Sequence, residues 1–108
     1  MGIVHAKPSE PISVAPLGSA LSQARTTALV KTASLEVLRM IVPQGKEIAG
    51  HRTRGEVTIQ CLEGEVGIVV NGITEVLSAG QLLYLCKNEL HAVRGIRDAS
   101  LLVTILLA

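Results

Sequence analysis

The dipeptide Asn71-Gly72 constrains the fold of this chain more than any other pair of residues. It separates two apolar, β-branched runs at residues 66–70 and 73–77. Asparagine and glycine both tolerate the positive φ that the central positions of a type I′ turn require, and this turn matches the twist of antiparallel strands. The sequence therefore predicts a tight β-hairpin across residues 66–77.

Further short apolar runs lie on either side of this hairpin and are separated by turn residues. The predicted strands are residues 28–32, 35–42, 57–62, 82–85, 91–93 and 101–107. Turns are predicted at residues 43–45, 63–65, 78–80 and 87–89. The last strand is interrupted only by Thr104 and is expected to be buried on both faces. Because many short strands without a long helix are typical of a sandwich or barrel, the predicted fold class is all-β.

The N-terminal 24 residues have a different pattern. Three prolines between residues 8 and 16 suit an extended arm or an edge strand, because proline cannot donate a hydrogen bond to a neighbouring strand. Residues 18–24 are predicted to form a turn or a short helix with Ser19 as its N-cap. We therefore divide the chain into an N-terminal arm, residues 1–24, and a single barrel domain, residues 25–108.

Length and composition exclude several classes of protein. The chain has 108 residues, of which 48% are hydrophobic, which suffices for one core and not for two domains. Its formal net charge is +1 and its basic residues are scattered, so the basic patch of a nucleic-acid-binding protein is absent from the sequence. No apolar run approaches the roughly 20 residues that span a bilayer. We expect neither a nucleic-acid nor a membrane partner, and the absence of a signal-peptide pattern favours a cytoplasmic protein.

The two cysteines, Cys61 and Cys86, could form a disulfide on paper. In a cytoplasmic chain, two cysteines are more often reduced than paired, and a free cysteine packs as a small apolar residue. We predict two free thiols at core positions.

His51 and His91 are the candidate functional residues. Neutral imidazole is the commonest protein ligand for transition metals, so two isolated histidines among strands can form a site inside a barrel. Each histidine also has a structural explanation: His51 would be an exposed residue at a strand end, and His91 a core histidine bonded to a backbone carbonyl. Tyr84, the only Phe, Tyr or Trp residue, either packs with its hydroxyl at water or lines a cavity.

Two segments around these histidines resemble the sequence motifs of the cupins, small barrels with a double-stranded β-helix or jelly-roll fold. The first motif has a glycine, two histidines, a glutamate and a glycine, and the positions at this spacing are Gly45, His51, Thr53, Val57 and Gly64. The second has a glycine, a proline, a glycine, a histidine and an asparagine, and the positions here are Gly80, Cys86, Asn88, His91 and Gly95. The resemblance implies a small, single-domain, RmlC-like cupin.

In metal-binding cupins, both histidines and the glutamate of the first motif, with the histidine of the second, hold one divalent metal ion in the barrel lumen. The resemblance assigns His51 and His91 to ligand positions, whereas Thr53 and Val57 replace the other two ligands. Two histidines alone form a weak metal site, so no cofactor is certain, and zinc, nickel, iron or manganese would bind at low occupancy. Glu56 would supply a ligand only if a bulge turned it inward, because side chains alternate along a strand.

Three functions are compatible with these residues. The first is a small-molecule-binding or accessory barrel in which a small polar or anionic ligand is held by His51, Thr53, Val57, Tyr84 and His91. The second is a metal-dependent enzyme of the dioxygenase, isomerase or decarboxylase type that uses the two histidines. The third is a structural oligomerisation barrel with an empty lumen. By resemblance to small cupins, and because the C-terminal strand is so apolar, we expect a homodimer.

Overall fold

The computed structural model describes residues 5–107, which form a short 3₁₀-helix and seven strands. The helix spans Gly18–Gln23, and the strands are β1 (Thr27–Lys31), β2 (Leu35–Val42), β3 (Glu47–His51), β4 (Val57–Val70), β5 (Ile73–Ser78), β6 (Leu82–Leu85) and β7 (His91–Leu106). All pairs of neighbouring strands are antiparallel, which confirms the all-β fold class. The first four residues of the predicted arm and the last residue of the predicted barrel domain lie outside the described residues.

The long strands β4 and β7 form the centre of the barrel and pair with each other along most of their length. In the first sheet half, the N-terminal part of β4 and the C-terminal part of β7 are flanked by β6 on one side and by β2 and β1 on the other. In the second sheet half, the remaining parts of β4 and β7 are flanked by β5 and β3. The inner faces of both halves contribute to one hydrophobic core. This is the double-stranded β-helix that the motifs imply.

The two halves are joined at a bend in β4. Pairing between β4 and β7 shifts register between Cys61 and Val66. Gly64 lies at this point with φ of +80°, and a Cβ atom there would lie 1.9 Å from the carbonyl oxygen of Asp98. The turn predicted at residues 63–65 is therefore wrong, because the chain bends here without leaving the strand.

The strand predictions are also incomplete around the histidines. Residues 91–93 and 101–107 belong almost entirely to the single strand β7, and β3 is missing from the prediction. Residues 96–98 in the middle of β7 are all exposed, and in β3 only Ile48 is even half-buried. Because these stretches bury few side chains, they lack the apolar alternation from which strands are predicted.

The core is built from alternate residues of the central strands. Its most buried apolar side chains, each at most 4% exposed, are Val42, Val57, Ile59, Cys61, Val66, Ile68, Leu85, Val93, Ala99, Leu101 and Val103. The end of β7 does not follow the prediction of burial on both faces. Leu102 and Thr104, which alternate with core residues, are half-buried on the outer face, and Leu106 is exposed. The C-terminal strand is thus buried on one face only.

The turn at Asn71-Gly72 forms as predicted. The φ angles are +52° at Asn71 and +76° at Gly72, and Val70 pairs directly with Ile73. Asn88, which takes the place of a glycine in the second motif, also has a positive φ of +65°. Asparagine tolerates this left-handed backbone, so the substitution preserves the turn.

The two cysteines are both free, as predicted. Cys61 is buried in the core, whereas Cys86 is exposed just after the end of β6, so the core position predicted for Cys86 is wrong. Side chains alternate along an extended chain, and Cys86 follows the core residue Leu85.

The short helix predicted in the arm is present, but its start differs from the prediction. Its N-cap is Leu17, which makes no side-chain capping bond, and Ser19 lies inside the helix. The backbone N–H of Leu17 instead donates to the carboxylate of Glu63 at 2.9 to 3.0 Å. The cap is therefore supplied by the barrel. No helix within residues 5–107 is long and apolar enough to cross a membrane.

Candidate functional site

The structure places His51 and His91 next to each other. They are register partners across the antiparallel pair of β3 and β7. The centroids of their rings are 4.4 Å apart, and the ring planes are inclined at 58°. Because directly opposed residues project to the same face of a sheet, both imidazoles can contact one small ligand.

The position of the pair on the barrel follows from its neighbours. His91 is two residues before Val93, whose side chain is in the core, so His91 projects toward the lumen. Its exposed fraction is 4%, whereas His51 is exposed at the end of β3. The histidine pair therefore lies at an open end of the barrel, with one member inside and the other at the surface.

Both imidazoles are oriented through the same ring nitrogen. His51 Nδ1 lies 3.3 Å from the carbonyl oxygen of Ala49, and His91 Nδ1 lies 3.2 Å from that of Glu89. A carbonyl oxygen only accepts, so each Nδ1 carries the proton and donates. In the neutral ring, this assigns the lone pair to Nε2. The pair thus presents two nitrogen acceptors.

The surroundings of His91 favour its neutral form. Burial lowers the pKa of His91, and a positive charge on His51 would lower it further. The hydrogen bond to the carbonyl of Glu89 opposes both effects without cancelling them. Both structural explanations drawn from the sequence also apply: His51 is exposed at a strand end, and His91 is a core histidine bonded to a carbonyl.

The two replaced ligand positions do not complete a metal site. The Thr53 hydroxyl donates to the carbonyl of Gly55 at 3.0 Å, and Val57 is 1% exposed within the core. Within residues 5–107, no group of three or more His, Cys, Asp or Glu side chains could hold a metal ion. The residues present do not fit the three or four protein ligands of a tight divalent metal site.

Glu56 and Tyr84 contact each other away from the histidines. Both side chains are exposed, and the Tyr84 hydroxyl donates a short hydrogen bond to the Glu56 carboxylate. This hydrogen bond raises the pKa of Tyr84. Tyr84 alternates with the core residue Leu85, which places it on the outer face of the first half. The structure therefore does not bring Glu56 or Tyr84 to the histidine pair.

Aliphatic side chains fill the lumen beside the pair. The core residues closest to the pair along the strands are Val93, two residues after His91, and its register partner Ile68, each at most 2% exposed. A close-packed interior leaves little room for a large molecule without rearrangement. Any ligand of the histidine pair is thus small and sits at the barrel mouth.

The element that the sequence analysis missed is the one that makes the site. β3 brings His51 opposite His91, and residues 49–51 of this strand are all exposed. The only available signal was Ile48, which packs against the core between the exposed residues Glu47 and Ala49. A single apolar residue does not predict a strand.

Comparison with known proteins identifies similar folds. No protein-family model matches the chain, and no curated protein sequence matches it. A cupin superfamily protein from Desulfitobacterium hafniense superposes on 100% of this chain and 100% of its own, with a TM-score of 0.79 and 15% identity. An RmlC-like cupin family protein with a double-stranded β-helix fold, from Methanocaldococcus jannaschii, gives 0.72 and 14% over 92% of each chain.

A third solved structure is that of a predicted oxalate decarboxylase from Thermotoga maritima. It superposes on 77% of this chain and 79% of its own, with a TM-score of 0.69 and 24% identity. Identities this low establish a shared fold, whereas function depends on the residues of each site.

Proposed function

This chain has the RmlC-like cupin fold, and on that fold we propose that it is a small-molecule-binding or accessory barrel whose site is the histidine pair. The observation that supports this proposal is the pair of Nε2 acceptors, held side by side because each Nδ1 is bonded to its own strand. Such a pair binds a small polar ligand at the barrel mouth. Thr53, two residues after His51, supplies a further polar group at the rim.

A metal ion would bind only weakly in this proposal. Zinc, nickel, iron or manganese would have two protein ligands, and water or the ligand would fill the other positions. The metal-dependent enzyme, of dioxygenase, isomerase or decarboxylase type, therefore has less support than the binding protein. The similarity in fold to a predicted oxalate decarboxylase does not supply the missing ligands.

The imidazole nitrogens themselves provide the test. We expect long-range ¹H–¹⁵N NMR spectra to show that the neutral form of each ring carries its proton on Nδ1 and not on Nε2. Oxalate, glycerol and Zn²⁺ serve as three probes of different charge, and binding of at least one should shift the Nε2 resonances. His51→Ala and His91→Ala should each abolish the response. His5→Ala in the arm is the matched control. If no probe shifts Nε2 at about 10 mM, the proposal fails.

A second candidate is the oligomerisation barrel, and one observation favours it. The outer face of the first half carries Leu82, Tyr84 and Leu106, which are 59%, 52% and 43% exposed. Between them lie Thr58 and Thr104, so the centre of this face is uncharged, with Glu56 and Arg39 at its margins. A two-fold symmetric contact sets the same patch of both copies against each other, and the uncharged centre of this face meets its copy without repulsion. We propose that the chain forms a homodimer through this face.

Light scattering after size exclusion tests the homodimer. Leu82→Lys should convert a dimer to a monomer. Val76→Lys, at a site with 53% exposure on the second half, should leave it unchanged. A monomer at about 100 µM in the unmodified chain would refute the dimer.

A further inference from the structure

A groove on the outer side of the second sheet half has the features of a separate ligand site. It lies beside the β4–β5 turn and is lined by Arg52, Val69, Asn71, Leu90, His91 and Ala92, together with Gly50 and Gly72. Its volume is about 210 Å³. Sites for drug-sized ligands have about 300–1,000 Å³, so this groove fits a smaller molecule.

The charge of the groove comes from one residue. Arg52 is exposed and makes no hydrogen bond or ion pair with any side chain among residues 5–107. Other arginines of the second half differ: Arg94 lies 3.3 Å from a Glu47 oxygen, and Arg97 lies 3.8 Å from a Glu65 oxygen.

No acidic side chain lines the groove to neutralise Arg52. The nearest acid along the chain to Leu90 is Glu89, and its carboxylate accepts from the backbone N–H of Cys86 at 2.7 Å. The guanidinium is therefore free to bind an external anion, which it can do through two parallel hydrogen bonds.

The walls of the groove are apolar. Leu90 is 45% exposed, and Val69 and Ala92 are half-buried. Gly50 also lines the groove, and a Cβ atom at this position would lie 3.3 Å from Leu90 Cδ1. The glycine thus leaves the groove open beside the leucine. A cation next to an aliphatic wall suits a ligand with a charged head and a short apolar tail.

We propose that this groove binds a small organic anion whose carboxylate pairs with Arg52 and whose aliphatic chain lies on Val69, Leu90 and Ala92. The site borders the histidine pair through His91, but its apolar walls are on the outer face of the sheet and His51 does not line it. Because both the charged contact and the apolar contact are partly exposed, we expect a dissociation constant on the order of millimolar.

Three six-carbon probes that differ only in their head group test the proposal. Hexanoate, hexanol and hexylammonium are titrated into the uniformly ¹⁵N-labelled chain. Hexanoate should shift the backbone amides of Val69, Gly72 and Ala92 to saturation. Hexanol should bind at least about tenfold more weakly, because it lacks the charge that Arg52 recognises. Hexylammonium should not bind.

Two arginines of one loop provide matched variants. Arg52→Gln should weaken hexanoate binding at least about tenfold, whereas Arg54→Gln should change it less than about twofold. Arg54 is also exposed but lines a different depression. Leu90→Ala should weaken binding of hexanoate more than that of acetate, which has no chain to place on the wall. The amide spectrum of each variant reports that it is folded.

Three results would contradict the proposal that this groove binds an organic anion. One is equal affinity of the chain for hexanol and hexanoate. Another is an equal loss of hexanoate affinity in Arg52→Gln and Arg54→Gln. A third is a loss of hexanoate binding in His51→Ala while Arg52→Gln binds hexanoate as the unmodified chain does. This result would show that the anion binds at the histidine pair. That result would support the proposed function while excluding the groove, so the two proposals fail separately.

Discussion

The hydroxyl of Ser100 donates a hydrogen bond to the carboxylate of Glu63 at 2.5 Å, and this contact joins β7 to β4 and orients the carboxylate. The same carboxylate accepts from the backbone N–H groups of Leu17 and Gly18. Arg39 makes a second contact with the arm by donating to the carbonyl of Ala15 at 2.6 Å. The barrel thus holds this part of the arm through its main chain, with Glu63 as acceptor and Arg39 as donor.

Replacement of Glu63 by glutamine should loosen the arm. The amide retains one acceptor oxygen but loses the charge and the second oxygen, so we expect the free energy of unfolding to fall by about 1–2 kcal/mol. Hydrogen exchange at Leu17 and Gly18 should accelerate. Glu65→Gln is the control, because the Glu65 carboxylate has two long contacts, at 3.8 Å with the exposed Arg97 and at 3.3 Å with the Ser78 hydroxyl, and neither residue belongs to the arm. A similar loss in both variants would show that the contact with the arm contributes nothing specific.

The same carboxylate predicts how stability depends on pH. Burial acts to raise the pKa of Glu63, but hydrogen bonds from Leu17, Ser100 and Gly18, with the charge of Arg39, outweigh burial and hold this pKa below its usual value. The unfolded chain then takes up the proton first as the pH falls. The contribution of Glu63 is therefore complete above the unfolded pKa of about 4.3 and is lost below it.

Urea unfolding between about pH 3 and pH 6 measures this contribution. The unmodified chain should lose stability relative to Glu63→Gln as the pH falls, because the variant has no proton to take up at this position. If the two stabilities differ by a constant amount across this range, the lowered pKa of Glu63 is wrong.

The parts of the structure that could be predicted are those that depend on short-range preferences. The turn at Asn71-Gly72 needs two residues that accept positive φ, and the strand from Val57 to Cys61 needs alternation toward the core. The spacing of the motif residues around His51 and His91 predicts the fold, because it indicates which strands contain these residues. The sequence was thus sufficient for the all-β barrel, and the structure places the two histidines of the motifs next to each other.

The remaining features depend on contacts between distant parts of the chain. The bend at Gly64 is set by the backbone at Asp98, and the Glu63 carboxylate meets the arm only after folding. Tyr84 projects outward because of the register in which β6 pairs with β4. The four residues of β6 alone do not specify this register. Local patterns contain no information about such pairings.

Two glycines with similar backbone angles allow a test of the bend. Gly64 and Gly72 have φ of +80° and +76°, but an added Cβ would lie 1.9 Å from the Asp98 carbonyl oxygen at Gly64 and has no atom within 4 Å at Gly72. Gly72→Ala should cost about 1–2 kcal/mol through backbone strain alone. Gly64→Ala adds a clash with the backbone and should cost more than about 3 kcal/mol or prevent folding.

Thermal and urea unfolding of the two alanine variants give these values. Since the strain from positive φ is common to both, the difference between the variants isolates the close approach of β4 to β7. Equal costs would mean that the strands are farther apart at the bend than the structure shows.

The two replaced ligand positions, Thr53 and Val57, allow the metal-binding motif to be rebuilt. A variant with Thr53→His and Val57→Glu restores the ligand types of the motif, but Val57 is 1% exposed, so its carboxyl group would be buried. Without metal, we expect the variant to be less stable than the unmodified chain by about 2–4 kcal/mol. Zn²⁺ should recover much of this loss and bind at least about tenfold more tightly than to the unmodified chain, since four protein ligands replace two. Thermal unfolding with Zn²⁺ and with a chelator measures both effects.

The control variant combines Thr53→His with Thr58→Glu. Its carboxylate is on the opposite side of the strand, so this variant should gain little affinity for Zn²⁺. A Zn²⁺ response that is equal in both variants would show that position 57 does not face the histidine pair.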